Sequence, residues 1–123
     1  MKGHLENPLG DVNISTDAIS AYAGTAALEC SGVVGMAEIS LADGLVKLLS
    51  GRSAHKGIQV KIDVNEIFID LHIIIAYGVN ILAVSNNLIS TVKYMVEQFT
   101  GMVVREVNVY VEGVRQLSSG GQN

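Results

Sequence analysis

From residue 58 to residue 77, apolar and polar positions alternate in two blocks. Ile58, Val60, Ile62 and Val64 alternate with Gln59, Lys61 and Asp63, the pattern of a half-buried strand. After a polar turn at Asn65 and Glu66, the residues Ile67, Ile69, Leu71, Ile73, Ile75 and Tyr77 form one face of a longer strand. Phe68, Asp70, His72, Ile74 and Ala76 form its other face. Two alternating strands across a short polar turn predict an antiparallel hairpin.

Helical spacing flanks this hairpin. Ser15 is suited to an N-cap, with Asp17 in the first turn where a negative charge meets the positive end of the helix dipole. Ile19, Tyr22, Ala23, Ala26, Ala27 and Cys30 then make a stripe of mostly small residues, and Gly32 is placed to close the helix as its C′ residue. Downstream, Asn80 caps a long helix whose stripe is Ile81, Val84, Leu88, Val92, Met95 and Phe99, and Gly101 ends it. Residues 33–40 and 103–114 predict the first and last strands, with Val107, Val109 and Val111 facing the core. Asp43 predicts the cap of a short helix carrying Leu45, Val46, Leu48 and Leu49, followed by a polar loop at 51–57.

This α-β-β-β-α-β order plus a short helix predicts an α+β two-layer sandwich, one mixed β-sheet of about four strands with two main helices on one face. The passage from the long strand through the long helix to the last strand is expected to be right-handed and parallel. Residues 10–115 read as a single domain. Residues 1–9 lack periodicity and hold the chain's one proline, Pro8, so they read as a flexible leader. The Ser/Gly/Gln-rich residues 116–123 read as a disordered tail.

Composition narrows the function. Hydrophobic residues make up 49% of the 123, enough for a core without a metal or disulfide staple, and at 5% aromatic that core is aliphatic. A net charge of −4 disfavours both nucleic acid and direct docking on an anionic membrane. With Cys30 the only cysteine, no internal disulfide forms, which suits a reducing compartment. The first residues lack the apolar core of a signal peptide, and the most apolar stretch, 67–84, is broken by Asp70, His72, Gly78 and Asn80. The expectation is a cytoplasmic protein with no segment inserted in a membrane.

No catalytic or metal-binding constellation emerges. Cys30 sits late in its helix, where the dipole opposes a thiolate, and reads as a buried structural thiol. His4, His55 and His72 are spaced too widely for a metal pair. Asp70 and His72, two apart on one strand face, suggest a carboxylate–imidazole pair, with no nucleophile beside it. Gly32 and Gly35 match a G-x-x-G spacing found in RNA-binding modules, but they carry valines where such loops carry basic residues. Arg52 and Lys56 are weak candidates for contact with an anion. Two places hold more apolar surface than the core can absorb. One is the short segment with Leu45, Leu48 and Leu49. The other is the second strand face, with Phe68, Asp70, His72, Ile74 and, from the last strand, Tyr110. Surplus of this kind marks an interaction surface.

The run I-S-A-Y-A-G-T-A-A-L-E-C-S-G-V-V-G-M from Ile19 resembles the first-helix block of the bacterial alkaline shock proteins, also called envelope stress response proteins. G-L-V-K-L-L from Gly44, I-D-L-H-I-I-I-A-Y-G-V-N-I from Ile69, V-K-Y-M-V-E from Val92 and V-N-V-Y-V-E-G-V from Val107 match its other blocks in order. Y-G-V-N-I and V-K-Y are nearest to the YloU-like branch. The resemblance implies a cytoplasmic, non-enzymatic protein of envelope homeostasis or alkaline stress, acting without a cofactor. It also implies self-association into homo-oligomers, or docking on a partner that is membrane-anchored or related to a fatty acid kinase. It supplies no catalytic or ligand residues. The alternatives are a small-ligand or enzyme-accessory module using Asp70, His72 and the 52–56 loop, and RNA binding through Gly32 and Gly35.

Overall fold

The computed structural model describes residues 2–7 and 10–116, with side chains from Ile14 onward except Arg52. Residues 117–123 of the predicted tail lie outside them. Strand β1 (Lys2–Asn7) pairs antiparallel with β2 (Gly10–Ser15), so most of the stretch read as an aperiodic leader takes part in a hairpin. Helix α1 (Thr16–Leu28) follows at once, because the Ser15 hydroxyl accepts the Ala18 N–H at 3.1 Å. Then come β3 (Val33–Ile39), β4 (Val46–Leu49), a 3₁₀ helix (Gly51–Gly57), β5 (Ile58–Asp63), β6 (Glu66–Ala76), α2 (Ile81–Thr100) and β7 (Val103–Arg115). The Asn80 side chain caps α2 on the Ala83 N–H, and Gly101, at φ +73°, closes it.

The strand β6 is the spine of a five-stranded mixed sheet. Along one edge its first half pairs antiparallel with β5 and residues 73–75 pair with β3, which carries β4 outside it. Along the other edge β7 runs parallel to β6 over its whole length, the arrangement expected of a strand–helix–strand crossover. Ile67, Ile69, Leu71, Ile73 and Ile75 point to one side and are 0–1% exposed. There they meet Ile19, Ala23, Ala26 and Ala27 of α1 and Val84, Leu88, Val92 and Val96 of α2 in one core. Each fully buried isoleucine or leucine contributes about 1.5–3 kcal/mol, so this single face accounts for much of the fold. The alanines of α1 keep that helix close to the sheet. Tyr22 stacks on Phe99, with ring centroids 4.4 Å apart, and ties the helices together.

Four local expectations change. The segment with Leu45, Leu48 and Leu49 is not a helix but a tight hairpin ending in β4. Asp43 Oδ1 accepts the Leu45 N–H only two residues on, which builds a turn instead of capping a helix. The polar loop at 51–57 is the 3₁₀ helix, pinned by buried Ala54. Helix α1 ends at Leu28 with Glu29 as its cap, so Gly32 does not serve as C′. Gly32 instead makes the turn into β3 at φ +92°, where a Cβ would lie 2.6 Å from a Val84 methyl. Tyr77, read as the last residue of the Ile67 face, falls past the end of β6 and is 72% exposed, and Val111, read as core-facing, is 36% exposed on the edge strand β7.

Cys30 is 7% exposed and donates to the Ala26 carbonyl at 3.6 Å. Burial pushes its thiol above the ordinary range, and the neighbouring Glu29 charge adds to this against a hydrogen bond with Thr91. The unfolded thiol ionises first, so this residue's contribution to stability is complete at neutral pH and declines as pH rises past about 8.5. Iodoacetamide labelling of the native protein at neutral pH should therefore run at least about tenfold slower than in denaturant. Equal rates would show that the thiol is accessible.

The β5–β6 turn is made by Val64 and Asn65, at φ +50° and +61°, one residue earlier than the expected Asn65 and Glu66. A two-residue hairpin of type I′ has positive φ at both positions, which suits Asn or Gly and strains a β-branched residue. Val64 is 88% exposed, so its side chain recovers little by packing. Val64→Gly or Val64→Asn should stabilise the protein by about 1 kcal/mol, a rise of about 4 °C in Tm. An unchanged or lower Tm in both variants would place the strain elsewhere.

Candidate functional site

Because both helices lie on one side, the second face of the sheet is left open. Its side chains fall in cross-strand rows set by the register. Asp63, Glu66 and Val103 form the first row, Lys61, Phe68 and Glu106 the second, and Gln59, Asp70 and Asn108 the third. His72 and Tyr110 follow, then Gly35, Ile74 and Gly113, and last Ala76 and Arg115. The middle rows line a groove between β5 and β7.

The sequence suggested a pair between Asp70 and His72, and the structure separates them into two polar contacts. Asp70 Oδ1 accepts from Asn108 Nδ2 at 3.0 Å. His72 Nδ1 lies 2.6 Å from Glu112 Oε2, with the two side chains 24% and 20% exposed. The His72 ring also stacks on Tyr110, at 4.8 Å between centroids. The carboxylate and the Tyr110 ring together fix the orientation of the imidazole. Glu112 reaches His72 through a bulge. Val111 pairs with Ile73 and Gly113 with Ile74, so Glu112 is an extra residue in the ladder and is turned toward the imidazole.

The residues predicted as an interaction surface divide. Leu49 is 3% exposed and Ile74 is fully buried, so neither offers free surface. Leu49 falls on the core side beside Met36. Ile74 pairs between Gly35 and Gly113, and Leu48 leans over Gly35, with its methyl 2.6 Å from where a Gly35 Cβ would sit. Leu48 and Phe68 are half-buried, while Leu45 is 65% and Tyr110 44% exposed. Lys56 is exposed and lines a second groove with His72, Gln59 and Leu41, and the side chain of Arg52 lies outside the described residues. Gly32 and Gly35 lie in a turn and within β3, not in a loop between helices.

Sequence reasoning missed part of the exposed apolar surface. Ile39 and Leu41 join Leu45 at the apex of the β3–β4 hairpin, 42% and 100% exposed. The apex is tied together by Ser40 N–H to Leu45 carbonyl and Gly44 N–H to Ser40 carbonyl, both 2.8 Å. The Leu45 N–H, then the Ser40 side chain, hold the Asp43 carboxyl below the usual carboxylate range, so this brace is present at neutral pH and weakens as pH falls. Glu106, Asn108 and Glu112 were also missed. Their alternation with valines already set them on one face with Tyr110, but only the parallel register places that face beside His72.

Among the described residues, no group of three side chains is arranged to hold a metal ion, and no helix is long and apolar enough to cross a membrane. Comparison with known proteins gives the fold a family. A model of the alkaline shock protein 23 family, described as having a "cell envelope-related function", matches residues 4–116. The chain is 40% identical over 116 residues to uncharacterized protein YloU of Bacillus subtilis (strain 168), which covers 94% of this chain and 97% of that one. It is 36% identical over 107 residues to uncharacterized protein Spy1614 of Streptococcus pyogenes serotype M6, covering 86% and 88%. A second B. subtilis relative, YqhY, is 28% identical over 91% of this chain and 82% of its own. The chain therefore belongs to the alkaline shock protein family, whose function is related to the cell envelope.

Proposed function

We propose that the chain is a non-enzymatic scaffold of cell-envelope homeostasis in the bacterial cytoplasm, working by self-association and by docking on an envelope-associated partner. The observation that carries this reading is the β3–β4 hairpin. Ile39, Leu41 and Leu45 project from a braced apex whose outer strand, β4, has no partner on its far edge among the described residues. An open strand edge beside apolar side chains offers both backbone pairing and hydrophobic contact to another chain. Burying Leu41 and Leu45 in an interface would contribute about 1.5–3 kcal/mol each. The family's envelope-related function supports the setting. On the open face, His72 is paired with a carboxylate and has no nucleophile set beside it, which supports a binding role over a catalytic one.

The test is a Leu41→Asp, Leu45→Asp double variant, whose changes are confined to exposed positions and should leave the monomer folded. Light scattering of the wild type should give masses above the 13.0 kDa of one chain, rising with concentration, and the variant should shift toward the monomer. Crosslinking in the native cell should recover an envelope-associated partner with the wild type and less of it with the variant. A wild type that stays monomeric and captures the same partners as the variant would refute the proposal.

A further inference from the structure

The hairpin leaves the open sheet face without an occupant. We infer that this face docks a basic polypeptide segment of a partner protein, with Lys or Arg side chains laid across the groove between β5 and β7. This deepens the scaffold reading and rests on it, since it names the chemistry of a partner.

Charge is the first ground. The described face carries the carboxylates of Asp63, Glu66, Asp70 and Glu106 against Lys61 and Arg115, with Glu112 already paired to His72 and Arg105 at the bulge beside Glu106. At its margin Glu38 and Lys56 offset one another. Among the described residues, the side chains of Asp63, Glu66 and Glu106 make no hydrogen bond or ion pair. Asp70 accepts one bond from Asn108, and a carboxylate accepts up to about four.

Shape and ring chemistry are the second ground. No described helix covers these rows, and the groove floor is Phe68 with Asp70 and Asn108. Tyr110 is held flat against His72 and is still 44% exposed, so its ring is fixed in orientation and open to stacking. A guanidinium is the group that satisfies both features, since it stacks on an aromatic face while its N–H groups bond to flanking carboxylates. The flanks of membrane spans on the cytoplasmic side are rich in Lys and Arg, which is where an envelope partner would carry such a segment.

The experiment uses the full chain and a fluorescein-labelled peptide alternating Arg with Ser, with a Glu-for-Arg peptide as control, read by fluorescence anisotropy. The Arg peptide should bind and the Glu peptide should not. Raising ionic strength from about 0.01 M to about 0.15 M, which shortens the screening length from ~30 Å to ~8 Å, should weaken binding without abolishing it. Asp63→Asn with Glu106→Gln should lower affinity about tenfold, and Tyr110→Ala about fivefold. Asp17→Asn with Glu29→Gln, which removes the same charge from α1 and its C-cap, should leave it unchanged. Loss of affinity as large in the α1 pair as in the sheet pair would reduce the effect to net charge and overturn the inference, as would no binding at low salt. Peptide binding unaffected by the sheet variants, beside assembly that depends on Leu41 and Leu45, would refute this inference and leave the scaffold proposal standing. Sheet-dependent peptide binding by a chain that never assembles would support the docking face, with the self-association half of that proposal failing.

Discussion

The alternation of β6 is the constraint from which the rest follows. Five large aliphatic side chains on one face are sealed by two helices, and the period of two forces every intervening side chain onto the opposite face. A fold with helices on one side only must leave that opposite face to water or to a partner. Here it is furnished with Phe68, Asp70 and His72 along the spine, so the same repeat that builds the core also builds the groove.

The parallel strand beside the spine has its own geometric problem. β7 has 13 residues alongside the 11 of β6, and the excess is taken up at two bulges, near Arg105 and Glu112. The first falls close to where the Glu97 carboxylate accepts the Val104 N–H, so a side chain on α2 secures the start of the strand. The second turns Glu112 toward His72. Glycines solve the matching problem on the other edge. A Cβ on Gly57 would come 2.8 Å from the Ala37 carbonyl oxygen, so only glycine lets the 3₁₀ helix close against β3. The polar cluster and the hairpin are thus positioned by places where regular pairing is interrupted.

That is also where the sequence stops being legible. Ser15, Asn80 and Gly101 announced the helix ends because capping is a contact within a few residues. The β5–β6 hairpin and the parallel crossover were readable because alternation over many residues has one interpretation. The segment around Leu45 was not. Four apolar residues in a short run fit a helical turn or an edge strand equally well, and the choice was made by Asp43 bonding two residues ahead and by pairing with β3. Partners such as Glu112 for His72, 40 positions apart, depend on a long-range register and a bulge, and neither leaves a local trace.

Burial of Leu49 and Ile74 reduces the apolar surplus but also sorts it. Of the segment read as surplus, Leu45 stays free at the hairpin apex beside Ile39 and Leu41, while the open sheet face becomes a mainly polar and acidic surface with two aromatic rings. These are different recognition chemistries. An apolar apex on an unpaired strand edge favours a partner that brings matching apolar side chains and backbone, and it is little affected by salt. An acidic groove with a fixed ring favours a cationic segment and weakens with ionic strength. The apex lies beyond β3 and β4, the groove runs between β5 and β7 across the spine, and Leu41, Lys56, Gln59 and His72 line a second groove that joins them. The proposed scaffold role rests on that difference, since two chemistries on one small chain suit two different partners.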